Sequence, residues 1–132
     1  MTASPISVGK SFKREAKRWY DKRSHFGVPS KVANAYVYAW HEEDDPACCK
    51  IGYCTNEPFT YLWDESLPHQ RRLPVIFLTI GLANVQLAKL VERKLHQQFH
   101  AKHLERAASQ EWFQVHKDEL VDYVRANEST LV

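Results

Sequence analysis

The run Pro74-Val75-Ile76-Phe77-Leu78-Thr79-Ile80-Gly81 constrains this chain more than any other stretch. It opens on a proline, carries β-branched residues inside, and is apolar on nearly all positions. That pattern predicts a central strand covered on both faces. Two further strands are expected. Residues 35–40 alternate aromatic and aliphatic side chains, and residues 48–54 return after the polar turn His41-Glu42-Glu43-Asp44-Asp45-Pro46. The acidic tip of that hairpin reads as a solvated turn.

Helices are expected between and after these strands. Thr55 or Asn56 can cap a short helix with Pro58 in its first turn, running through Tyr61 and Leu62 and stopping near Pro68. Asn84 caps the longest helix, over about residues 85–99, whose apolar stripe is Leu87, Ala88, Val91, Leu95 and Phe99 with Leu90 at its margin. Residues 106–110 read as a loop and 112–115 as an edge strand or extended connection. A last helix over residues 117–126 buries Leu120, Val121 and Val124. Strands and helices in this mixed order define the α+β class.

At 132 residues the chain is long enough for one well-packed domain. No apolar run approaches the roughly 18 residues of a membrane span, and the N-terminus lacks a signal-peptide core. A cytoplasmic protein without membrane contact is therefore expected. Cys48, Cys49 and Cys54 are too few for a disulfide framework, and their spacing with His41 matches no zinc motif. No spacing selects a Cys–His nucleophile either.

Charge is unevenly placed. Residues 10–31 hold eight Lys or Arg against Glu15 and Asp21, a net +6, so the rest carries −4 within the total of +2. Residues 1–9 read as a loose tail, and 11–23 as a short amphipathic helix with Ser11 as its cap. Lys13, Arg14, Lys17, Arg18, Lys22 and Arg23 are the candidate nucleic-acid contacts, with Trp19, Tyr20 and Phe26 available to stack or wedge. The expected division is an arm at 1–33, a domain at 34–127 and a tail at 128–132.

Glu92 borders the stripe of the long helix, with the small Ala88 one turn below and His96 one turn above. A carboxylate desolvated there must be paired, protonated or bound to a cation. His96, His100 and His103 with Glu92 form a second metal-ligand constellation, though no upstream zinc motif accompanies it.

Taken in order, these pieces resemble the GIY-YIG nuclease superfamily, in its small phage and bacterial branch. Tyr36-Val37-Tyr38 stands where that family has Gly-Ile-Tyr, and Lys50-Ile51-Gly52 follows eleven residues later as the second half. Gly52-Tyr53-Cys54-Thr55-Asn56 resembles the branch's turn into its first helix. Residues 92–99 resemble its Glu-x2-Leu-His-x2-Phe helix, and Gln110-Glu111-Trp112-Phe113 its Gly-Glu-Trp-Phe. The likeness covers about residues 34–126. It implies a small three-stranded mixed or antiparallel sheet flanked by helices, here with a basic N-terminal arm.

The same resemblance implies phosphodiester hydrolysis of double-stranded DNA with one Mg²⁺ or Mn²⁺ on Glu92. Tyr38 would orient or deprotonate the attacking water, with Tyr36 on the same face and Lys50 nearby to offset a phenolate. His96 would help hold Glu92. Three positions depart from the family pattern, two of them Tyr36 and Gln110, which stand where the branch has glycine. The phosphate-clamping arginine of the first helix falls near Tyr61, and only Arg71 and Arg72, later in the chain, are available to replace it. Loss of such an oriented cation costs about 3 kcal/mol, about a hundredfold in rate. The alternative is therefore a catalytically weak or inactive module on this fold that binds nucleic acid or a protein partner.

Overall fold

A computed structural model describes residues 5–65, 72–106 and 109–131. In chain order these form α1 (Pro5–Asp21), β1 (Ser24–Gly27), β2 (Ala35–Glu42), β3 (Cys49–Cys54), α2 (Pro58–Glu65), β4 (Pro74–Leu82), α3 (Val85–Gln98), β5 (His103–Arg106), β6 (Ser109–Phe113) and α4 (Lys117–Leu131). The class is α+β, as the pattern predicts, but the sheet has six strands, not three, in the order β1-β4-β2-β3-β6-β5. Two of the additions, β1 and β5, carry too few alternating positions to be legible alone, and β6 begins three residues before the edge strand or extended connection expected at 112–115.

β4 sits between β1, which it pairs in parallel, and β2, which it pairs antiparallel. Every residue of β4 is buried, in keeping with a strand whose two faces are both apolar. One face is covered by α3 and α4 through Ala88, Val91, Leu95, Leu120 and Val124. The other packs on α1 and α2 through Ala16, Tyr20, Phe59 and Leu62. Tyr36, Tyr38 and Trp40 belong to that second layer, while Val37 and Ala39 point into the first.

Several boundaries move. α1 begins at Pro5, so Ser11 lies inside the helix and the expected loose tail is helical from that residue. β6 is an inner strand, because β5 folds back against it as the edge. On α3 the buried positions are Ala88, Val91 and Leu95, whereas Leu87 and Leu90 are exposed, so the stripe is narrower than its sequence pattern. Asn84 caps α3 as expected, its side chain accepting from the Leu87 amide at 2.9 Å.

The first strand and the last helix also meet. Gly27, at φ +79°, ends β1 in the left-handed region that glycine tolerates, and its amide donates to Glu128 Oε2 in α4 at 2.9 Å. No helix among the described residues is long and apolar enough to cross a membrane.

Candidate functional site

The site begins with a glycine and a tyrosine facing each other in the β2–β3 pair. Tyr38 is the register partner of Gly52, and its ring lies across that glycine. A Cβ on Gly52 would stand 2.5 Å from the Tyr38 hydroxyl and 3.0 Å from Glu111 Oε2. The missing side chain thus lets the phenol and the Glu111 carboxylate share one space. Glu111 comes from β6, which pairs with β3 at Lys50 and Trp112, and its Oε2 lies 3.7 Å from the Lys50 ammonium.

α3 supplies the opposite wall. His96 Nε2 donates to the Ile51 carbonyl at 2.9 Å, since a carbonyl only accepts, and its ring packs 4.9 Å from that of Phe113. This stitch fixes α3 against β3 and sets Glu92, one turn earlier, at the rim of the sheet. Two adjoining hollows result, of about 480 and 570 Å³. Tyr38, Lys50, Tyr61 and Glu111 line the first; Glu92, Arg93, His96 and His100 line the second. Tyr53 and Lys89 belong to both, with the Lys89 ammonium 5.9 Å from the Tyr53 ring centre.

The electrostatics tie the two hollows together. Burial, and next the Glu111 charge, push the Glu92 carboxyl from an ordinary 4.5 up to about 7. Glu92 Oε2 is buried with no hydrogen-bond partner. Tyr38 is held far above the usual phenol range, first by burial and then by Glu111, with smaller contributions from Cys54, Tyr61 and Glu92. At neutral pH Tyr38 is therefore a neutral phenol. It can donate one hydrogen bond and accept others, but it is not a ready base.

Tyr36 shares the face of Tyr38 but lies outside this cleft, donating to the Ser30 carbonyl at 3.1 Å. Arg72 is held at the β2–β3 hairpin end, paired with Asp44 and, at 3.4 Å, with Glu42. Four residues of strand separate Glu42 from Tyr38, about 13 Å, so Arg72 does not enter the cleft. Arg71 lies outside the described residues. Tyr61, the position aligned with the family's arginine, does line the hollow of Tyr38.

The basic helix divides. Lys13, Arg14 and Lys17 flank Phe59 on the α2 side, Arg18 is exposed beside Glu15, and Lys22 and Arg23 stand at the other end, toward α4. Lys17 is itself paired with Asp21 at 3.1 Å. His103 packs edge-on to Phe113, and no three His, Cys, Asp or Glu among the described residues gather as a metal cage.

A lone buried carboxylate oxygen, a second carboxylate nearby and open volume suit a Mg²⁺-like ion that keeps most of its waters better than a zinc cage. Glu111 has no role legible in the sequence: nothing in Glu111-Trp112-Phe113 says that the carboxylate returns to Tyr38.

This is a small mixed-sheet domain with two adjoining hollows, one lined by a phenol from a hairpin and the other by a carboxylate from a helix. The T5orf172 domain family matches residues 35–128, and the chain belongs to that family. Membership suggests a nuclease-like or DNA-binding role and specifies no reaction. No curated protein and no solved structure matches the chain.

Proposed function

We propose that the cleft hydrolyses phosphodiester bonds in DNA in the manner of a GIY-YIG nuclease, with one Mg²⁺ or Mn²⁺ held at Glu92. The observation that carries this reading is the buried, unpartnered Glu92 oxygen beside a hollow that adjoins that of Tyr38. A carboxylate so placed gains most from a cation. The bound ion supplies charge neutralisation for the phosphate and the leaving oxygen.

The chain's own residues do the rest. The neutral Tyr38 phenol orients the attacking water rather than deprotonating it. As the water oxygen bonds to phosphorus, the phosphorus–oxygen bond to the leaving group breaks; the water's proton passes to Glu111, across Gly52 from the phenol, and the departing alkoxide takes a proton from solvent. Lys50 holds Glu111 in place, and Lys89, between the two hollows, faces the phosphate. His96 keeps α3, and so Glu92, at its station through the Ile51 carbonyl. Exposed cations of α1 hold the backbone away from the cleft.

A second reading has its own observation. Tyr61 stands in the cleft where the family's arginine is expected, which favours a module that binds DNA and cuts weakly or not at all. Incubation of purified protein with supercoiled plasmid and Mg²⁺ or Mn²⁺, beside Glu92→Ala, separates the two. Nicking abolished by Glu92→Ala supports hydrolysis. Salt-sensitive binding without nicking, weakened by neutralising Lys13, Arg14, Lys17 and Arg18, supports the binding module. Nicking that survives Glu92→Ala removes this site from consideration.

A further inference from the structure

We infer that a second pocket, between the end of α1 and the outer face of α4, binds a phosphate group of a nucleotide or a nucleic-acid strand. The pocket holds about 490 Å³, within the range of small-ligand sites, and shares no lining residue with the Tyr38–Glu92 cleft. Lys22, Arg23, Lys117 and Arg125 line it against Asp118 and Asp122, leaving a surplus of two positive charges. These cations are separated by nearly a hundred residues in sequence, and only the fold brings them together.

Only part of this charge is spent within the pocket. Asp122 pairs with Arg125 at 3.5 Å, and Asp118 lies 3.7 Å from His116. Among the described residues neither Lys22 nor Lys117 is paired with a carboxylate; Lys22 lies only over the Trp19 ring, at 5.7 Å. Arg23 is already fixed. Its Nε donates to Thr79 Oγ1 at 2.7 Å, its Nη1 to the Tyr20 carbonyl at 3.1 Å, and its guanidinium lies 3.9 Å over the Tyr20 ring. Its Nη2 makes a longer bond to Ser30 Oγ, 3.4 Å, so of five N–H donors two remain. Trp19, also in the lining, keeps a buried indole N–H without an acceptor.

A held guanidinium and two uncommitted ammonium groups suit an anion with several oxygens, and phosphate offers the most. The inference stands whether or not the other cleft cuts DNA.

Amide chemical-shift titration with inorganic phosphate tests it, using the full chain, Lys22→Ala, Lys117→Ala and Glu92→Ala. The expected result is a saturable shift confined to residues 19–24 and 117–125, retained in Glu92→Ala. Each of the two pocket variants should bind about tenfold more weakly, the scale of one charge-assisted bond. Titration with a mononucleotide and with an oligonucleotide with and without a 5′-phosphate identifies the source. Tighter binding of the phosphorylated strand marks a strand end, equal binding an internal phosphodiester, and binding of the mononucleotide alone a free nucleotide. Shifts scattered over the surface, or unchanged affinity in both pocket variants, overturn the proposal.

Discussion

The Tyr38 hydroxyl lies where the side chain of Gly52 would begin. Phenol and glycine are opposed in the β2–β3 ladder, so the strand register itself sets the floor of the cleft. Gly52→Ala should displace the Tyr38 ring and destabilise the protein by about 1–3 kcal/mol, the scale of overpacking a filled space. Denaturant midpoints of Gly52→Ala and of Gly52→Ala combined with Tyr38→Phe check this. Only partial recovery is expected in the double variant, because the ring carbon that bears the hydroxyl would still stand 2.7 Å from the new Cβ.

Glu92 gives a pH signature. Its folded value, about 7, exceeds the ordinary 4.5, so between those limits the folded state binds more protons than the unfolded one. Its contribution is complete below about 4.5 and is lost as pH rises through 7. The metal-free protein should therefore lose about 1 kcal/mol over that window, allowing for solvent screening of a half-buried group. Glu92→Gln should flatten this part of the profile, as read by urea unfolding at a series of pH values. Added Mg²⁺ should bind more tightly above pH 7 than below it, since the proton competes for the same oxygen.

Tyr61→Arg places a guanidinium in the hollow of Tyr38. If an oriented cation is what the reaction lacks, plasmid nicking should rise by about a hundredfold. Tyr61→Lys should give less, since an ammonium lacks the bidentate fork. Rates measured in the Glu92→Ala background should stay at zero for both.

Arg72→Ala should leave activity unchanged and cost no more than about 1 kcal/mol, because its partners Glu42 and Asp44 form an exposed surface bridge. A large loss of nicking in this variant, at unchanged thermal midpoint, is the outcome that would bring Arg72 back into the reaction.

What could be read from the sequence followed the strength of the local signal. The nine-residue β4, the β2–β3 hairpin and the Asn84-capped α3 declared themselves because each has its own period or cap. β1 and β5 did not, being four residues long and held mainly by their ladders with β4 and β6. Leu87 is apolar and one step from Ala88, which places it on the stripe by pattern, yet α3 turns it to solvent.

In the cleft, Tyr38, Lys50, Glu92 and His96 could be named from spacing and resemblance. The return of Glu111 to Tyr38 depends on β6 pairing with β3, and strand order is not written in any one segment. The same holds for Lys22 and Lys117, neighbours only after α4 has docked.

The bond from the Gly27 amide to Glu128 spans 101 positions. During synthesis the opening β-strand must wait, its terminal donor unanswered, until the closing helix has left the ribosome. Contacts of such long reach slow the search for the native arrangement, because the loop must close before the contact can reward it. Closure of this sheet edge onto the last helix is thus a late event, and a shortened chain ending before Glu128 would leave the first strand held mainly by its ladder with β4.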